Sequence, residues 1–299
     1  MKTNLLGVSV RFLLATIFSM LLVLLGTQVA QAQTASYKDG TFYDQPRQKG
    51  IQFFAGNQGM GTYDPIVFPG QDNVGHLHEF YCGNVIPGTL TSQLFNDRTL
   101  CGKEDHHSGY WHPALINKVT GEPQRSMSLF VYYRRNVEIT PYSRLRPVPP
   151  GLKVIAGSSS STGGQYGVVD WGCGGANGSG AAGNTRGYAL PQKCDPNSKH
   201  PAVKSVITFP NCIQKLPSGE LVLDSPDHKS HMRYASEKTG LCPDGFKYQI
   251  PIPVMSVKWP ISNPTNYELA SHGLGSMHGD LWAAHRTASF RVAMQEDLQ

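Results

Sequence analysis

The 299-residue chain carries a formal charge of +5, from 26 basic and 21 acidic residues. That excess is too small to point to nucleic acid or an anionic membrane surface as a partner. Its 32 glycines and 21 prolines interrupt the chain so often that long helices have little room.

In chain order, Lys2 and Arg11 precede an apolar stretch, Phe12 to Leu25, which leads to the small-residue run Val29-Ala30-Gln31-Ala32. This is the three-part layout of an export signal cleaved after Ala32. An uncleaved anchor needs about 20 apolar residues and has no use for a cleavage motif. The expected mature protein therefore starts at Gln33, is secreted or periplasmic, and has no stable membrane insertion. A start at Gln33 also gives no N-terminal histidine on which a copper site could be built. Residues 1–32 are read as the signal, 33–60 as a polar leader, and 61–299 as a single β-rich secreted domain.

Short β-rich runs recur between the breaks: Ser128 to Tyr133, Leu152 to Ile155, Val203 to Phe209 and Ile252 to Trp259. They predict an all-β or β-dominated domain, most simply a two-sheet sandwich or jelly-roll-like fold with long loops. Gly157 to Gly187, Gly/Ser-rich around Val168 to Cys173, reads as a long surface loop tethered by a cysteine. Six cysteines follow the signal, an even number in an oxidising compartment, so disulfides are expected. Of the fifteen connectivities, pairing by proximity gives 82–101, 173–194 and 212–242.

Three clusters combine imidazoles with carboxylates. In His76-Leu77-His78-Glu79 the two histidines, if extended, share one strand face and could chelate a transition metal. Ser225-Pro226-Asp227-His228-Lys229-Ser230-His231 packs a hydroxyl, an acid, two imidazoles and an amine into one segment. In His278-Gly279-Asp280 the acid and imidazole again share a face if extended. His106 and His107, in a polar turn-like segment, read as solvated. Tyr110 and Trp111 could stack on a sugar ring, with core packing as the ordinary alternative. No Gly-x-Ser-x-Gly elbow, His-Glu-x-x-His helix or phosphate-cradling Gly-x-x-x-x-Gly-Lys occurs.

The run from Asp64-Pro65 through His76-Leu77-His78, Tyr110-Trp111-His112-Pro113, Phe209-Pro210-Asn211-Cys212, Asp227-His228-Lys229-Ser230-His231 and His278-Gly279-Asp280 resembles the secreted DUF1996 family of fungi and bacteria. The resemblance implies an extracellular β-rich domain and marks His76, His78, Asp227, His228, His231, His278 and Asp280 as its polar signature. It implies no reaction.

Three functions fit these residues. The first is a glycoside hydrolase acting on extracellular or cell-wall polysaccharide without a required cofactor. There Asp227 and Asp280 supply the two carboxyl groups and His228, His231 and His278 assist them, while His76, His78, Tyr110, Trp111 and Lys229 bind substrate. The second is a hydrolase dependent on a divalent metal held by His76, His78 and one of His228, His231 or His278, with an aspartate as fourth ligand or general base. The third is a non-catalytic binder of metal or polysaccharide.

Overall fold

A computed structural model of the protein describes residues 48–102, 105–174, 186–197 and 201–285. The expected export signal (residues 1–32), residues 33–47 of the expected leader, and residues 175–185 of the glycine-rich segment lie outside them.

The first half of the described chain forms β1 (Gln48–Ala55), β2 (Asn57–Gly61), β3 (His78–Cys82), β4 (Gly109–Pro113), β5 (Leu115–Asn117), β6 (Pro123–Gln124), β7 (Ser128–Asn136) and β8 (Lys153–Gly157). The second half forms β9 (Val169–Cys173), β10 (Arg186–Tyr188), β11 (Val203–Thr208), β12 (Cys212–Ile213), β13 (Met232–Arg233), β14 (Tyr248–Gln249), β15 (Ile252–Trp259), β16 (Tyr267–Leu269) and β17 (His278–Trp282). Each β-rich run read from the sequence is a strand: β7, β8, β11 and β15. A six-stranded sheet has the order β1-β7-β15-β11-β9-β10, and a five-stranded sheet the order β2-β3-β4-β17-β8. Two three-stranded sheets, β13-β12-β14 and β16-β5-β6, complete an antiparallel architecture.

The two large sheets share one core. Ile51, Phe53, Leu129, Val131, Tyr133, Met255 and Val257 come from the six-stranded sheet, and Tyr81, Tyr110, Val154, Ala156 and Leu281 from the five-stranded one. Side chains alternate along a strand, so the neighbours of these inward residues turn to the outer face of the five-stranded sheet. There Phe80, Trp111 and Trp282 form a second core with Ile66, Val85, Leu94 and Ala284. Gly279 shows how closely the sheets approach: a Cβ there would lie 3.0 Å from Ile207 Cδ1 and 3.1 Å from Met255 Sδ.

Three disulfides join Cys82 to Cys101, Cys173 to Cys194 and Cys212 to Cys242, the pairing by proximity. Each closes a loop of modest length, which restricts the unfolded chain more than it shapes the native one.

Two boundaries differ from the sequence reading. The supposed leader contributes all of β1 and most of β2, because Ile51, Phe53 and Ala55 alternate with polar or exposed positions and bury against β7. The supposed surface loop contains β9, whose Val169 and Trp171 are core residues paired with Ile207 and Ser205 of β11. Sparse apolar residues are enough to build β1 and β9 because they pair with the richer β7 and β11.

Candidate metal centre

The same alternation that sends Leu281 inward sends His278, Asp280 and Trp282 outward on β17, and it sends His78 and Phe80 outward on β3. In the sheet order β4 lies between β3 and β17, and its outward side chain is Trp111, paired with Phe80 on one side and Asp280 on the other. His76 arrives just before β3 and Asp64 from the segment between β2 and β3, which covers this face. The outcome is a pair of overlapping triads sharing His78. Donor atoms of His76, His78 and His278 all lie within 4.8 Å of one another, as do those of Asp64, His78 and Asp280.

Ring centroids are 4.2 Å apart for His76 and His78, and 5.1 Å for His76 and His278. His78 Nε2 is 4.0 Å from Asp64 Oδ2, and His278 Nε2 is 3.8 Å from Asp280 Oδ2. The tautomers follow from the backbone. His78 Nδ1–H donates to the Tyr63 carbonyl at 2.8 Å, and His278 Nδ1–H donates to the Ser276 carbonyl at 2.9 Å. A carbonyl can only accept, so the opposite nitrogen of each ring carries a lone pair. Backbone carbonyls behind ligating imidazoles orient them in this way at metal sites. His76 Nε2, His78 Nε2 and both Asp280 oxygens are buried with no hydrogen-bond partner among the described residues.

Burial pushes all three imidazoles toward the neutral form: His78 well below its ordinary value, His76 below it, and His278 down to about 3. Burial raises Asp280 well above the usual carboxylate range, with Asp64 adding to the effect and the Lys229 ammonium opposing it. Asp64 is likewise raised by burial, against hydrogen bonds from Val67 and Ile66 N–H. Three neutral imidazoles and two carboxyls short of positive charge form a donor set for a divalent cation. Metal–ligand bonds of ~2.1 Å put the donors of one ion at most about 4.2 Å apart, so either triad taken alone needs to contract by only tenths of an ångström. Imidazole nitrogen with carboxylate oxygen, and no free thiol among the described residues, suits borderline first-row metals such as zinc, iron or manganese.

The other predicted residues add no donor to either triad. His231 is not the third imidazole: its Nδ1 meets Ser225 Oγ at 2.8 Å, and His278 takes the place in the triad. Asp227 is exposed and holds its own turn, accepting from Ser225 Oγ, Lys229 N–H and Ser230 N–H. Burial works against it, but these bonds keep its carboxyl well below the usual range, which removes the proton a general acid must donate. His228 pairs with Asp224 at 2.7 Å and Lys229 reaches Gly157. Tyr110 and Trp111 are fully buried and cannot stack on a sugar. Trp111 instead turns its indole N–H toward Asp64, and the contact favours the ionised carboxylate.

His106 and His107 are buried, not solvated. His106 bridges to His285 and joins a buried ring network: Tyr110 OH lies 2.7 Å from His106 Nε2 and 2.8 Å from Tyr133 OH. The polar residues around His106 in the sequence hide a partner contributed by the far end of the chain. Asp64 is a site residue that sequence reasoning does not single out. Its signal is the Asp-Pro step in the first motif, where the carboxylate also caps the following turn by accepting from Ile66 and Val67 N–H.

A family model described as a domain of unknown function (DUF1996) matches residues 64–285, a span that starts on Asp64 and encloses every residue of the centre. No curated protein and no solved structure matches the chain.

Proposed function

This chain belongs to the DUF1996 family, and we propose that it holds a divalent first-row transition metal on Asp64, His76, His78, His278 and Asp280 and works as a metal-dependent hydrolase outside the cytoplasm. The observation that supports this most is the pair of backbone-fixed tautomers. His78 and His278 spend their N–H groups on Tyr63 and Ser276 carbonyls and present lone pairs toward two buried carboxyls, of which Asp280 has no other partner among the described residues. An apolar cluster would be more stable at this position, because buried polar groups without hydrogen bonds cost stability.

A bound cation would supply Lewis acidity and a water acidic enough to attack at neutral pH. His76 is the half-exposed member of the set and marks the side from which ligands enter. Three disulfides suit an oxidising compartment. An extracellular polysaccharide is the proposed substrate, in keeping with the export signal. A two-carboxyl glycoside hydrolase built on Asp227 and Asp280 has less support, since Asp227 is committed to its turn and Asp280 is shut away from solvent.

Deep burial of four of the five donors also favours a second reading, a centre that binds metal without turnover. One experiment separates the two: metal content by mass spectrometry of the purified mature chain, alongside product release from a polysaccharide panel before and after chelation. One equivalent of metal, with activity lost on chelation and restored on reloading, is expected for the hydrolase. Metal without product points to the binder, and protein that excludes metal defeats both readings.

A further inference from the structure

The loop Asp224 to His231 passes beside the centre without giving it a donor. Its course is fixed at β8, where Ile155 N–H donates to the His228 carbonyl and the Lys229 ammonium donates to the Gly157 carbonyl. Gly157 is the residue paired with His278. The loop's own turn is tight: His228 has a φ of 54°, and Asp227 gathers Ser225, Lys229 and Ser230 around one carboxylate oxygen. This arrangement sets a basic side chain near each acid of the centre. His228 acts electrostatically on Asp64, and Lys229 acts on Asp280.

Lys229 is the more informative of the two. It is half-buried, and an ammonium taken out of water needs acceptors for three N–H groups. Gly157 takes one. Lys229 forms no ion pair within 4.0 Å among the described residues, and neither oxygen of Asp280 has a hydrogen-bond partner there. The amine is therefore near the centre, tethered at one point, with two donors to spare. Neutralising Asp280 does not account for this placement, because a lysine serving that purpose would close the contact. Lysine is suited to meet an anionic oxygen as a point charge.

We propose that Lys229 makes the centre selective for anionic ligands, donating its remaining N–H groups to a carboxylate or phosphate oxygen of a molecule bound at the metal. This rests on the metal-centre reading of the same residues. It makes the substrate an acidic polymer or ester in place of a neutral one. The charge would act at short range in a partly dehydrated site, where such interactions are worth more than at an open surface.

The test uses the full mature chain loaded with cobalt(II), whose visible absorption reports exchange of its ligands. Acetate, inorganic phosphate and neutral acetamide are titrated against the wild type, Lys229→Met and Lys229→Arg, with cobalt content measured for each. Both anions should bind the wild type at least tenfold more tightly than acetamide. Lys229→Met should lose about tenfold or more in anion affinity at unchanged cobalt content, and Lys229→Arg should retain most of it. The order of acetate and phosphate then names the source of the oxyanion. Equal binding of acetamide and the anions by the wild type overturns the proposal, and so does a folded Lys229→Met that binds anions as well as the wild type. If Lys229→Met does not fold, Lys229→Gln, which removes the charge and keeps a polar side chain, takes its place in the comparison. A wild type that takes up no cobalt defeats the metal centre itself, and this proposal falls with it.

Discussion

His278 Nε2 stands 3.8 Å from Asp280 Oδ2 on the same face of β17, and neither oxygen of Asp280 has a hydrogen-bond partner among the described residues. The strand spends two of its three outward positions on polar groups that do not satisfy one another. A cation between them would turn that deficit into binding energy. At a free metal concentration of a hundred times Kd, binding to the folded state alone adds about 2.7 kcal/mol. For a domain of this size that corresponds to a rise in Tm of about 5–10 °C. Differential scanning calorimetry with zinc and with chelator should show this rise in the wild type and none in His78→Ala, since His78 belongs to both triads.

Asp280→Asn separates function from stability. Removing a carboxyl whose ionised form is disfavoured by burial should leave the metal-free protein as stable as the wild type or more so, while metal uptake falls sharply. Denaturant unfolding in chelator, paired with metal analysis, checks both halves. A variant much less stable than the wild type would show Asp280 to be a structural residue.

Stability of the metal-free protein should fall as pH drops below about 6.5. Seven imidazoles, those of His76, His78, His106, His112, His231, His278 and His285, are held below their ordinary value by burial, His278 and His285 down to about 3. The unfolded chain takes up protons at these positions that the folded chain refuses. Their contribution is intact above the unfolded value of 6.5 and is lost between it and the folded values. Asp64 and Asp280, raised by burial, have the opposite sign: they favour the folded state below the unfolded carboxylate value and lose that contribution as pH rises through their folded values. Seven groups outweigh two, so Tm in chelator should decline from pH 7 toward pH 4. A flat or rising profile would mean that the imidazoles are not held neutral.

Asp227→Ala tests the acid–base role that the sequence suggests. Its carboxylate anchors Ser225, Lys229 and Ser230, so the expected effect is a loss of about 1–2 kcal/mol in stability with metal binding kept. Asp227→Asn, which keeps an oxygen acceptor, should be milder. Loss of all activity in a folded, metal-loaded Asp227→Asn would return Asp227 to the chemistry.

Most of the sheet framework is legible in the sequence because β7, β11 and β15 are dense in β-branched and aromatic residues, whose pattern survives without knowledge of the partner strand. β1 and β9 escape notice because their burial comes from pairing, which local composition does not encode. Within the site, His278 and Asp280 are legible through period-two alternation on one strand. His76 reaches the cluster from a loop, so a spacing that does not apply to it still names the right residue. Asp64 and Trp111 are illegible for a different reason. Asp64 has the marks of a turn residue and is one. Trp111 has the marks of a ligand platform, although its ring is core and only its N–H faces the site.

That indole N–H yields the last prediction. Trp111 packs against Phe80 at a centroid distance of 5.5 Å, is fully buried, and lies beside Asp280 in the β4–β17 register. Its Nε1 closes no hydrogen bond of ordinary geometry among the described residues, yet its proximity favours the charged form of Asp64. Trp111→Phe keeps an aromatic ring in the second core and removes only the polar contact and part of the volume. Losing a polar group that orients a metal-binding side chain from behind usually costs about 10–100-fold in affinity, whereas a packing defect acts on stability and leaves intrinsic affinity alone. Competition titration of zinc should therefore show at least tenfold weaker binding by Trp111→Phe, with a smaller effect from Trp282→Phe, another tryptophan of the same cluster. Equal affinities for the wild type and Trp111→Phe would make Trp111 a core residue only and leave Asp64 oriented by the Ile66 and Val67 N–H groups alone.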